Sequence, residues 1–137
     1  MKNLIIILLL GIIISSGETL QAQPTMGLIN YTADAAPGYT LMPAMGRKSV
    51  YLIDNCGRLI NQWDSDYLIG LAAYLQPDGN LLRAAKRSHP VIASGGIGGR
   101  LEKYDWDGNL IWAYDVNEPE YIQHHDIALM DNGNYIV

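Results

Sequence analysis

The chain has 137 residues, enough for one small domain, with a net charge of −5 and an apolar fraction of 49%. That charge excludes a basic nucleic-acid-binding surface. Cys56 is the single cysteine, so no disulfide can form within the chain and burial has to hold the fold.

The N-terminus opens with Met1-Lys2-Asn3, and residues 4–14 follow as an apolar run broken only by Gly11. Small residues come next, ending at Leu20-Gln21-Ala22-Gln23. This is the layout of a secretory signal peptide over residues 1–22, with cleavage after Ala22. The run is too short to span a bilayer, which takes about 20 residues, so no stable membrane insertion is expected after cleavage. No cysteine lies near the cut site to carry a lipid. The mature chain is therefore expected to be exported.

Beyond the leader, the pattern is β throughout. Strands are expected over residues 26–31, 39–42, 50–54 and 58–64, the last three after a loop at 32–37 and around a turn at Met45-Gly46-Arg47-Lys48. A second unit of four follows, at 71–75, 80–85, 100–105 and 109–115. A third begins at Tyr121 and reaches Val137 within its second strand. No stretch has helical periodicity with caps. Cys56 falls at a turn, where a small residue fits. Ser94-Gly95-Gly96-Ile97-Gly98-Gly99-Arg100 opens no helix and lacks a following Lys-Ser or Lys-Thr, so it is expected to be a flexible inter-strand loop rather than a phosphate cradle. His89-Pro90 is expected to be exposed in that loop.

Two hairpin sequences recur. Residues 53–64 align without a gap with residues 104–115, matching Asp54 to Asp105, Gly57 to Gly108 and Asp64 to Asp115. Asp107-Gly108 is expected to form a two-residue hairpin turn. Residues 74–82 match 128–136 in the same way, pairing Gly79 with Gly133. Both offsets are about 50 residues, and two hairpins alternating at one such period describe a β-propeller blade. The fold expected is all-β, a partial propeller of about two and a half four-stranded blades, with residues 23–137 as its N-terminal part. Such a piece, ending in the unfinished strand Asn134-Tyr135-Ile136-Val137, is expected to come from a longer protein, and when alone to self-associate and to lack activity.

Tyr121-Ile122-Gln123-His124-His125-Asp126-Ile127 carries the site signal. In the second match, Gly70, Leu71 and Ala72 stand where His124, His125 and Asp126 stand. Titratable groups thus replace small and apolar ones at the start of an inner strand, which in a propeller rings the mouth of the channel. Three readings are open. The His and Asp side chains hold a loop, or His124 and Asp126 share a strand face and contribute to a metal site, or one histidine is a nucleophile or acid–base group beside a carboxylate. His125 is the first choice for catalysis because it directly precedes Asp126, with His124 second and Asp126 supporting. No cofactor and no metal is expected.

The segment from His124-His125-Asp126-Ile127 to Asn132-Gly133-Asn134-Tyr135 resembles the bacterial arylsulfotransferase (aryl-sulfate sulfotransferase) propellers. Tyr51 to Gly57 and Gly99 to Asn109 resemble exported members of that family as well. The resemblance spans residues 26–137. It implies a six-bladed propeller that moves a sulfuryl group from the sulfate ester of one phenol to another phenol, without a nucleotide sulfate donor. It also implies a histidine that carries the sulfuryl group, with further His, Arg and Tyr side chains binding the sulfate. Only the His-His-Asp motif has matching positions here. The partners expected are small phenolic sulfate esters and phenols. The alternative is a non-catalytic exported propeller that binds a ligand or partner.

Overall fold

The computed structural model describes residues 29–137. The expected signal peptide lies outside the described residues, as does the first half of the strand expected at 26–31; residues 29–31 form no strand. Among the described residues the first sheet has three strands, where four were expected: β1 (Tyr39–Pro43), β2 (Val50–Asp54) and β3 (Leu59–Trp63), in that order. The second has four, β4 (Ile69–Leu75), β5 (Leu81–Lys86), β6 (Gly99–Tyr104) and β7 (Leu110–Asp115). Two short pairs follow: β8 (Asn117–Glu118) with β9 (Tyr121–Ile122), and β10 (Ala128–Leu129) with β11 (Tyr135–Ile136). All pairings between strands are antiparallel. The chain is all-β, with no helix among the described residues.

The turns share one construction. Gly57, Gly79, Gly108 and Gly133 each donate an amide to the carbonyl three residues back, at 2.9–3.2 Å. In each turn that same residue, Asp54, Gln76, Asp105 or Met130, donates its own amide to the carbonyl just after the glycine. Every one of these glycines has a positive φ, between 73° and 85°. The loops are thus three residues long and end in a left-handed glycine, including the one at Asp107-Gly108 where a two-residue loop was expected. The register shifts at Leu52/Ile53 and Lys103/Tyr104 are the bulges this turn leaves behind.

The central sheet is covered on both faces. Because side chains alternate along a strand, Leu81 and Tyr104 face the first sheet and join Val50, Leu52, Trp63 and Ile69 in one core. Leu82, Ala84 and Leu101 face the other way and pack with Ala72 and Ile127, with Tyr135 alongside. The first face also holds an ion pair. Arg83 and Glu102, both essentially fully buried, stand 3.7 Å apart. The Arg83 guanidinium donates to the carbonyls of Lys48 and Tyr67, at 2.5 and 3.0 Å. Glu102 accepts from Ser65, Tyr104 and Arg100, at 2.8–3.1 Å. A buried charge is tolerated only with this degree of pairing.

Candidate functional site

The second face ends in the histidine segment, and backbone contacts set its position. The loop before β6 runs beside residues 123–125. The Gly98 amide donates to the Gln123 carbonyl at 3.0 Å, and the His125 amide donates to the Gly96 carbonyl at 2.8 Å. Between them, Ile97 and His124 form an antiparallel bridge. The approach is close enough to require glycine. A Cβ on Gly98 would lie 1.7 Å from the Gln123 side-chain oxygen, and one on Gly96 would lie 2.4 Å from Nε2 of His125. The glycine run is therefore a packed seat for the histidines, not the flexible loop expected. Its buried portion is Ile97-Gly98-Gly99.

Gln123 locks the seat. It is buried, its side-chain oxygen accepts from the Gly99 amide at 3.2 Å, and its side-chain amide donates to the Asp126 carbonyl at 3.1 Å. His89 is a second brace. It is half-buried rather than exposed as expected. Its Nδ1 accepts the amides of Val91 and Ile92, at 3.2 and 2.8 Å, so its Nε2 carries the hydrogen that reaches the Glu118 carbonyl at 2.8 Å.

His124, His125 and Asp126 were expected along a continuous strand, with His124 and Asp126 on one face. A three-residue turn interrupts it instead. The Asp126 amide donates to the His124 carbonyl at 2.9 Å, and His125 at the centre has φ 62°. This is the positive-φ form of the γ-turn, which is rare and strained. Among the described residues only one other non-glycine residue has positive φ, Leu71 at 81°. Leu71 is the residue that the sequence match pairs with His125. It lies where the β4–β5 register breaks between Ile69 and Ala73.

The two imidazoles meet edge to face, with centroids 4.3 Å apart. They are held differently. His124 Nε2 is 2.7 Å from the Gly95 carbonyl and 3.2 Å from the Ser94 hydroxyl. The His125 ring has no hydrogen-bond partner among the described residues, and it is exposed. Asp126 does not orient it. Its Oδ1 accepts the Tyr74 hydroxyl at 2.5 Å and the Ile127 amide at 2.8 Å. The Tyr74 hydroxyl is the chief cause holding the Asp126 carboxyl below the usual range, followed by the Ile127 amide; the neighbouring His125 adds to them. The same bond raises the Tyr74 phenol.

These groups line one open cleft of about 310 Å³, formed by Pro43 at the end of β1, Leu71 to Tyr74 on β4, and His125 with Asp126. Larger hollows lie beside the Asp54–Gly57 turn and against Trp112 and Tyr135, but neither contains a histidine. The sequence reading missed Leu71, Tyr74, Gly96 and Pro43. Tyr74 had a signal: the match sets it against Ala128, a polar group against a small apolar one. Among the described residues, no group of three or more His, Cys, Asp or Glu side chains is placed to hold a metal ion. No protein family, curated protein or solved structure matches this chain.

Proposed function

We propose that the sheets are successive blades of an exported β-propeller, and that the protein is an aryl-sulfate sulfotransferase with His125 as the group that receives the sulfuryl moiety. One observation carries this reading. His125 sits on a strained turn lining the cleft, and its ring nitrogens have no hydrogen-bond partner among the described residues. Strain of this kind persists where surrounding structure over-determines it, and it concentrates at functional sites. Two observations support the propeller: the four like turns and the packing of the central sheet between neighbours on both faces.

In the reaction proposed, a neutral His125 nitrogen attacks the sulfur of an aryl sulfate. The sulfur–oxygen bond to the ring breaks and the phenolate leaves with the electron pair. A second phenol then gives up its proton, which passes through solvent to the released phenolate, and its oxygen attacks the sulfur of the sulfohistidine as the nitrogen–sulfur bond breaks and the imidazole is restored. Splitting one transfer into two displacements is the advantage of covalent catalysis. His124 steadies the arrangement through its edge-to-face contact with His125 and its bond to Gly95.

The test is transfer from 4-nitrophenyl sulfate to phenol, followed by nitrophenol release, with protein recovered from outside the cytoplasm and beginning near Gln23. His125→Ala should lower turnover at least about a hundredfold, the scale for a nucleophile or acid–base group. Unchanged turnover in a folded variant would remove His125 from the chemistry. The second reading, a non-catalytic binding propeller, is favoured by the way His124 is tied into the loop at Ser94 and Gly95. A folded wild-type protein with no turnover would select it.

A further inference from the structure

Each face of the central sheet packs against a neighbouring sheet, and the two contacts follow one plan. Val50 on β2 and Leu101 on β6 extend the first hairpin match, and each lies in the core toward the sheet that follows. Their strands carry the same bulge, at Leu52/Ile53 and Lys103/Tyr104. From the other side, Leu81 and Tyr135 match in the second repeat, and each packs against the sheet before it. Gln123 takes the place of Ile69, and both are buried.

One position breaks the plan. Trp63 on β3 is fully buried, in one core with Tyr104 of β6 and edge to face with Trp106 in the turn after it. Asn61, two residues earlier, donates to the Trp106 carbonyl. Tyr114 matches Trp63 and Trp112 matches Asn61, yet Tyr114 is 60% exposed. Where the first contact has a strand and its turn, the second has an open hollow of about 420 Å³, walled by Leu101, Trp112, Tyr114, Met130, Tyr135 and Val137. No charged side chain lines it. Among the described residues β11 is paired with β10 alone, so its outer edge offers free amides and carbonyls.

We propose that this hollow is the docking socket for one extended strand of a partner polypeptide, which pairs antiparallel with β11 and lays an aromatic side chain between Tyr114 and Tyr135. The mode is strand addition, in which backbone bonds give affinity and alternate side chains give selectivity. The register of β5 with β6 states the chemistry of the partner. There Leu81 stands opposite Tyr104, and Arg83 opposite Glu102. The counterpart of Leu81 is Tyr135, so the aromatic belongs opposite Tyr135. The counterpart of Arg83 is Val137, so a carboxylate would find no cation there and an apolar residue takes its place. Along the face toward the socket, the partner strand therefore reads apolar, then aromatic. A second copy of this chain has no such strand to lend, because its closest match, β6, is held between β5 and β7. The inference rests on the reading of the sheets as successive blades and not on sulfuryl transfer.

The experiment titrates the full chain with a peptide of residues 99–109, which carries the β6 sequence and its turn, and follows the Trp112 indole and Tyr135 ring signals by NMR. A peptide with Glu102→Val should bind at least about tenfold more tightly than the unaltered one, because it buries no unpaired carboxylate. Adding Tyr104→Ala to that peptide should weaken it about tenfold. Both comparisons use wild-type protein, so they stand even where a protein variant fails to fold. In the protein, Tyr114→Lys should weaken the Glu102→Val peptide about tenfold, while Tyr39→Lys, at a similarly exposed tyrosine on β1, should leave it unchanged. Binding indifferent to Glu102→Val and Tyr104→Ala, or signals that move elsewhere than at Trp112 and Tyr135, overturns the proposal. So does sedimentation in which two copies pair and Tyr114→Lys parts them, which would give the socket to a second copy. Peptide binding of the expected pattern in a protein that never turns over sulfate esters would keep the socket and reject the sulfotransferase. Turnover without that binding would do the reverse.

Discussion

The two faces of the central sheet use opposite means. The face toward β1–β3 is filled with large side chains, Trp63, Tyr104, Leu81 and Ile69, around the Arg83–Glu102 pair. The face toward β10–β11 mixes Leu82, Leu101 and Ile127 with small residues, Ala72 and Ala84, and at its edge has glycines that let backbone approach backbone. Large side chains bury area and hold sheets apart at side-chain distance. Glycine and alanine give up that area and gain proximity. The first face is built around large side chains and a buried ion pair, and the second is where a strained turn is held in place.

Removing one partner of the buried ion pair should have the largest effect. Glu102→Ala leaves Arg83 charged and buried, a loss of about 3–5 kcal/mol. Urea unfolding should show it, and a loss under about 1 kcal/mol would mean the pair behaves like a surface contact.

The second face is tested by Gly98→Ala. The added Cβ collides with Gln123, and overpacking of this sort costs about 1–3 kcal/mol. Gly95→Ala, where a Cβ meets nothing within 4 Å, is the control. Thermal melts in which the two variants behave alike would show that the close approach does not matter.

The smallest effect is electrostatic. The folded Asp126 pKa is depressed, so its contribution to stability is present above the unfolded value, about 4, and is lost as pH falls through the lower folded value. Tyr74→Phe removes the main cause of the depression. The Asp126 carboxyl, followed by NMR, should then titrate at higher pH, and the acid-side loss of stability should shrink. An unmoved midpoint would show that the Tyr74 bond is not formed in solution.

The strands from residue 39 to 115 were legible in the sequence because alternation and turn glycines are local signals. Gly57 and Gly108 declare their left-handed φ by residue type, although the loop length did not follow from it. The positive φ of His125 and Leu71 could not be read that way: leucine ordinarily avoids it, and histidine adopts it more often than most residues but still in a small minority of cases. The His-His-Asp motif stood out because it replaced Gly70, Leu71 and Ala72. The true partner of Asp126, Tyr74, is distant in sequence and lies on β4, while Asp126 lies in the connection between β9 and β10. The pairing of Arg83 with Glu102 was hidden for the same reason, because β5 and β6 are separated by a long loop. Contacts across elements are decided by register and sheet packing, which leave no mark within a short window.

Trp63 gives the molecule a built-in optical gauge. Its indole is buried, donates to the Asp105 carbonyl at 2.8 Å, and meets Trp106 edge to face at 5.6 Å. Asn61 adds a bond to the Trp106 carbonyl at 2.7 Å. One indole belongs to the first sheet and the other to the turn that closes the second. Parting the sheets therefore wets Trp63 and separates the two rings at once, and emission colour and near-ultraviolet dichroism would report the same event from two independent quantities. Trp112, on β7 against Tyr114 and Tyr135, lies away from that seam and would stay silent while it opened.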